Sequence, residues 1–364
     1  MGSDAGSETA NSSWSSSSSS AANQALLLVQ SDYPDLRLQA AKEIRRLTKT
    51  SQRCRRVLSG AVEPLVHMLS CDSAESKEAA LTALLNLAVK DAMNKINIVN
   101  AGALEPIICF LHSENLILQE HAAAALITLS ASSVNKPIIS ASGAISHLVE
   151  TIREGSPQVK SDAVMVLYNL STHQKNLSLI LEEQPIPSLV DVLKTCKKSS
   201  KTTEKCTALI ESLVSFDEGR RALTCEEGGM LAVVEVLESG SPQSREHAVG
   251  ALLTMCESDR SKYREPILKE GVIPGLLELT VQGMPKSQSK AQMLLRLLRD
   301  NPYPRSNLEP DTLENIVCDI ISHIDGEDEP EKAKQMLAEM VQVSMEQSLR
   351  HLQQRASMLC TPVD

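Results

Sequence analysis

One eleven-residue phrase is written five times along this chain. Glu78 to Ala88 reads EAALTALLNLA, and the pattern returns at Glu120–Ser130 (EHAAAALITLS) and Ser161–Ser171 (SDAVMVLYNLS). Looser copies stand at Glu204–Val214 (EKCTALIESLV) and Glu246–Cys256 (EHAVGALLTMC). Each copy predicts an Ala/Leu-rich helix with small residues on one edge and leucine on the other. Self-similarity at a fixed spacing of roughly 20–50 residues marks a repeat architecture, in which each unit buries its apolar face only against its neighbours. Length alone would allow two or three globular domains; the repeat predicts one elongated domain instead.

A second marker sets the period. Glycine, or once glutamine, precedes a short apolar run at Gly60, Gly102, Gly143, Gln184, Gly229 and Gly271, at intervals of 42, 41, 41, 45 and 42 residues. Glycine at this point predicts a left-handed helix C-cap. A short helix opened by Asn94-Lys95, Asn135-Lys136 or Lys175-Asn176 comes before it. A second helix follows, ending near Leu69, Leu111, Ile152, Leu193, Leu237 and Leu279. The turn into the third helix carries its own signal, because Gly155-Ser156-Pro157-Gln158 recurs as Gly240-Ser241-Pro242-Gln243. Serine suits an N-cap and proline the first helical position. Three helices in about 42 residues match the armadillo period, not the two-helix tetratricopeptide or ankyrin ones. An insertion, Lys194–Lys205 (KTCKKSSKTTEK), is expected to lengthen one such turn on the surface.

The ends differ from the middle. Residues 1–23 are serine-rich around Trp14, the only tryptophan, and predict a disordered tail. Residues 24–300 carry the repeats, opening with an atypical one in which Ala40, Ala41, Ile44 and Leu47 hold the places of Ala79, Ala80, Leu84 and Leu87. Residues 301–364 predict an acidic linker and C-terminal helices, with one helix over 311–324 and a longer one over 331–358 that either folds back as a cap or stands out as an amphipathic segment.

Composition supports an all-α reading. Aromatics are 2% of residues, so the core is Leu, Ile, Val and Ala, with little of the aromatic material that strands favour. A net charge of −10 argues against a general nucleic-acid binder. Nine scattered cysteines with no CxxC predict reduced thiols in cytoplasm or nucleus. No apolar run approaches the ~18 residues of a membrane span, and the start does not read as a signal peptide.

Taken together, the motif NK-x-x-I-x-x-A-G-A-(I/L)-x-P followed by E-x-A-A-x-A-L-x-N-L resembles armadillo repeats. The likeness is strongest to the plant U-box/armadillo group, through Asn94–Ala101, Gly102–Pro106 and Glu78–Leu87. It covers roughly residues 30–300. The resemblance implies a right-handed armadillo superhelix of about six to seven repeats, whose third helices line a concave groove for extended peptides or partner domains. Nothing in the 364 residues resembles the U-box itself.

The same resemblance places a candidate groove column. The position of Asn86 recurs as Arg46, Thr128, Asn169, Ser212, Thr254 and Leu297; in armadillo folds an asparagine there clamps a bound peptide backbone, since an amide donates and accepts together. The alternative for Asn86 and Asn169 is a bond to a neighbouring helix. Four residues earlier stand Thr82, Ala124, Met165, Ala208, Gly250 and Met293, where import adaptors of the superfamily carry Trp to sandwich lysine. Glu78, Glu120, Glu204 and Glu246 form an acidic row; it either selects a basic ligand or complements the helix dipole from the first turn. His121 and His247 share a repeat position but lie three repeats apart, on the order of 30 Å at ~8–10 Å per stacked helix. That is too far for a shared metal with ~2 Å ligand bonds. No Walker loop, GxGxxG, HExxH or GxSxG occurs, so no catalytic group, cofactor or metal is expected. Arg37–Arg56 holds eight Lys/Arg against one Glu, and this basic end either is a solvated face or docks an acidic partner or anionic lipid surface, with Arg45, Arg46, Arg55 and Arg56 as contacts. The functions that follow are a partner-binding scaffold in signalling or the ubiquitin pathway, a component of an E3 ligase lent activity by a U-box partner, or, distantly, an import adaptor.

Overall fold

Alternating leucine and alanine edges, capped every ~40 residues, give helices throughout. The computed structural model describes residues 19–299, and among them every regular element is helical. A helix α1 (residues 19–28) and α2 (Pro34–Thr48) come first. Six triplets follow. They are α3 (Gln52–Val57), α4 (Val62–Met68) and α5 (Ala74–Ala88), with a 3-10 turn at Leu58–Ala61; α6 (Ala92–Asn100), α7 (Leu104–Phe110) and α8 (Leu116–Ser130); and α9 (Asn135–Ala141), α10 (Ala144–Glu154) and α11 (Pro157–Ser171). Then come α12 (Asn176–Glu182), α13 (Ile186–Thr195) and α14 (Lys201–Leu213); α15 (Asp217–Cys225), α16 (Gly229–Ser239) and α17 (Pro242–Ser258); and α18 (Arg260–Lys269), α19 (Ile273–Gln282) and α20 (Pro285–Leu298). The three-helix period read from the sequence is thus realised. Helix is already present at residue 19, the first described residue. The serine-rich stretch through residue 18 and the linker and helices expected over 301–364 lie outside the described residues.

The caps are side chains chosen for the job. The Ser156 and Ser241 hydroxyls accept from the N–H groups of Val159 and Ser244, each followed by proline at the first helical position. Ser73, Asn115 and Ser200 cap α5, α8 and α14 in the same way. Each such cap is worth about 1 kcal/mol. In the insertion, only residues 196–200 form the turn; α13 runs on to Thr195 and α14 starts at Lys201, so helix absorbs most of the extra length.

The glycine corners need one correction. Gly102, Gly143 and Gly271 take the left-handed conformation as expected, but Gly60 lies in the 3-10 turn with ordinary φ. In the fifth unit the left-handed residue is Gly228 (φ 67°), while Gly229 opens α16. Gln184 adopts φ 50° at the one corner without glycine.

The described residues divide into two compact units, one ending at Val192 and the other starting at Leu193. In the first, α2 packs on α5, α5 on α8 and α8 on α11; in the second, α14 packs on α17 and α17 on α20. Ile44, Leu65, Leu84 and Leu126 are fully buried in the first unit, and Leu209, Leu252 and Ile267 in the second. Each such side chain stabilises its unit by about 1.5–3 kcal/mol.

A set of buried donors ties the triplets together, and nothing in the spacing singles it out beyond the helix phase. Asn94 (1% exposed) donates Nδ2 to Leu87 O at the end of α5 and to Arg55 O in the preceding first helix. Asn135 does the same for Leu129 O and Lys95 O, and Asn176 bonds Leu170 O. Where asparagine is missing, arginine stands in: Arg55 donates to Thr48 O and Lys49 O, and Arg220 to Val214 O and Ser215 O. The last carbonyls of a helix have no partner inside it. These side chains supply one from the next triplet.

Candidate partner-binding face

The predicted column lies on the third helices. In the first unit Arg46 is exposed near the end of α2 and holds Glu43 through two hydrogen bonds of 2.8 and 2.6 Å. Asn86, half-buried on α5, donates Nδ2 to the Arg45 carbonyl at 3.0 Å. Asn169 on α11 donates to Ile127 O at 3.3 Å and to the Ser130 hydroxyl at 3.0 Å. Both amides therefore bond a neighbouring third helix, and they bring Asn86 beside Arg46 and Asn169 beside Thr128. In each, only Nδ2 takes part in these bonds. Thr128 and Ser212 turn their hydroxyls back to Ala124 O and Ala208 O on their own helices. Thr254 is half-buried on α17.

The acidic row sits differently from the dipole reading. Because Ser73, Asn115 and Ser241 cap earlier than the repeat phrase begins, Glu78, Glu120 and Glu246 fall beyond the first turn, and only Glu204 remains in one. The dipole effect fades within that turn. In the first unit Glu78 and Glu120 act on His121, and Glu120 acts on Asp162 of α11. Burial, reinforced by Glu120, pushes the Asp162 carboxyl above its usual range, although Gln158 donates to it. Burial holds the His121 imidazole below its usual range, with the Arg45 charge acting the same way. Its Nδ1 is buried without a hydrogen-bond partner.

The second unit neutralises its charges internally. Glu211 on α14 accepts from Lys290 on α20 at 2.8 Å and pairs with His247 Nδ1 on α17 at 2.6 Å. Burial alone would raise the Glu211 carboxyl, but the bonds to His247 and Lys290 outweigh it and hold it below the usual range. Gly250 makes the contact possible: a Cβ there would stand 1.8 Å from Glu211 Oε1. So the column position that carries Trp in import adaptors is closed at Gly250, and it is also buried at Thr82.

The basic end loses one expected contact. Arg55 is 6% exposed and is spent on the end of α2, so it belongs to the scaffold and not to a docking surface. Arg45, Arg46 and Arg56 are exposed. Its neighbour Lys42 is paired with Glu75 at 2.7 Å.

A model of the plant U-box protein ARM repeat region matches residues 29–318. The chain belongs to that family. As an ARM repeat region, it is similar to U-box domain-containing proteins 17 and 45 of Arabidopsis thaliana. It is 32% identical to the first over 277 residues and 29% identical to the second over 284 residues. These alignments cover 74% and 76% of this chain but only 37% and 36% of those relatives, so the chain spans about a third of their length. Among solved structures it is similar to an engineered protein with a TM-score of 0.68 at 22% identity, covering 76% of this chain and 68% of that one. At that identity the likeness concerns the fold. Among the described residues no helix is long and apolar enough to cross a membrane.

Proposed function

We propose that this ARM repeat region is a non-enzymatic scaffold that captures an extended protein or peptide partner along its third helices. In this reading Asn86 and Asn169 present amide oxygens to the partner backbone, with Arg46, Thr128, Ser212 and Thr254 completing the column. The observation that carries it is the cluster of Glu78, Glu120 and Asp162. These carboxylates stand on adjacent third helices, and none of them forms an ion pair among the described residues. A like-charge cluster with two members half-buried is relieved by a cation, so the first unit selects a segment bearing lysine or arginine. A net charge of −10 fits a protein partner better than nucleic acid. The exposed Arg45, Arg46 and Arg56 offer a separate contact for an acidic partner surface. Cytoplasm or nucleus is the proposed location, from nine scattered cysteines with no CxxC.

The test is affinity capture with wild type, Asn86→Ala/Asn169→Ala and Asp162→Asn. A partner list left unchanged by all substitutions would remove the third-helix face from the account. A second reading rests on the U-box names of the relatives: the chain works in a ubiquitin ligase whose activity comes from a U-box. Purified chain mixed with ubiquitin, activating and conjugating enzymes should then form no conjugates unless a U-box protein is added.

A further inference from the structure

By repeat spacing His121 and His247 are too far apart to share a metal with ~2 Å ligand bonds. A different pair, 35 residues apart, does converge. His112 stands in the turn between α7 and α8, and His147 and Glu150 lie three residues apart on α10, hence on one helix face. His112 Nε2 is 2.8 Å from His147 Nδ1 and 3.6 Å from Glu150 Oε2. One ligating atom from each of the three residues lies within 4.8 Å of the others. His112 and Glu150 are exposed and His147 is half-buried, so the cluster is open to solvent on one side.

We propose that His112, His147 and Glu150 form a surface site for a borderline divalent cation, zinc foremost. Two imidazoles and one carboxylate are a known three-ligand zinc set, with water in the fourth position. Tetrahedral bonds of about 2.0–2.1 Å would set the two imidazole nitrogens ~3.3 Å apart. The observed 2.8 Å opens to that value by a small rotation of the exposed His112, and the 3.6 Å to Glu150 already suits it. In the metal-free state one ring nitrogen donates its proton to the other; to bind the cation the donor ring carries that proton on its other nitrogen instead, so that both neutral imidazoles offer a lone pair. Oxygen-only cations such as magnesium do not fit a site with two nitrogen ligands. Because the ligands come from successive triplets, the cation staples the α7–α8 turn to α10 and stiffens the first unit.

The test is titration of the reduced, chelator-stripped full chain, with zinc by calorimetry and cobalt(II) by visible absorption. One equivalent is expected, with a thermal midpoint that rises on adding zinc. His112→Ala/His147→Ala should weaken binding at least about tenfold and abolish the midpoint rise; Glu150→Gln should weaken it less. Cys109, exposed and three residues before His112, is the competing donor. Cys109→Ser should therefore bind as wild type does. Absence of saturable binding, binding that survives the double histidine substitution, or binding lost with Cys109→Ser alone would overturn the proposal.

Discussion

Lys290 reaches over Gly250 to Glu211, its Nζ 2.8 Å from Oε1, and so joins the third helices on either side of α17. The contact exists because position 250 has no side chain. Gly250→Ala gains about 1 kcal/mol of helix propensity but displaces this pair. The net change in urea unfolding at pH 7 should stay within about 1 kcal/mol.

Glu211→Gln separates the charge from the packing. The folded carboxyl lies below its ordinary 4.5, so its contribution is present above that value and is lost as pH falls through the lower folded value. The substitution should cost about 1–3 kcal/mol at pH 7, and the gap to wild type should close on acidification. A gap that is constant from pH 7 to pH 3 would contradict the charged pairing.

Asp162 has the opposite sign. Its folded carboxyl is raised above the ordinary 3.8, so its charged form is disfavoured in the folded chain and stability falls as pH rises above that value. Asp162→Asn should raise stability at pH 7 by about 0.5 kcal/mol and have no benefit at low pH. The same substitution should weaken binding of a lysine-bearing partner, measured by fluorescence anisotropy. A gain in stability with unchanged binding would leave Asp162 out of the partner contact.

Two asparagines that each donate to a backbone carbonyl of a preceding helix should behave differently. Asn94→Ala removes a fully buried donor from two carbonyls and should cost about 2–3 kcal/mol. Asn86→Ala removes one exposed bond and should cost about 0.5–1 kcal/mol. Chemical denaturation of the two variants checks the contrast.

Gln184 occupies a left-handed corner where four other units have a glycine, Gly102, Gly143, Gly228 and Gly271. An L side chain with a Cβ is strained there by about 1–2 kcal/mol. Gln184→Gly should raise stability by about 0.5–1 kcal/mol, less than the strain because glycine also loosens the unfolded chain. A loss of stability would mean that the glutamine side chain holds something more.

The period, the three helices per unit and the serine caps were legible because each is a local signal repeated in phase. That Arg46, Asn86, Thr128 and Asn169 recur at one position of successive third helices was legible too, since a helical face is fixed by spacing. What was hidden is tertiary. Whether Gly228 or Gly229 turns left-handed depends on how α15 ends. Arg55 reads as surface charge in a basic run, yet it is buried because the carbonyls ending α2 need a donor. The Glu78 and Glu120 row looks like dipole complementarity until Ser73 and Asn115 are seen to start the helices earlier. His112 and His147 meet only through the packing of successive triplets, which no pattern of spacing displays.

The most direct test places a photo-crosslinking amino acid at Thr128 and Thr254 on the third helices, and at the exposed Ser142 and Ser178 elsewhere. Partner adducts should form from Thr128 and Thr254 and be absent from Ser142 and Ser178. Adducts formed at Ser142 and Ser178 with none at the third-helix positions would contradict the account.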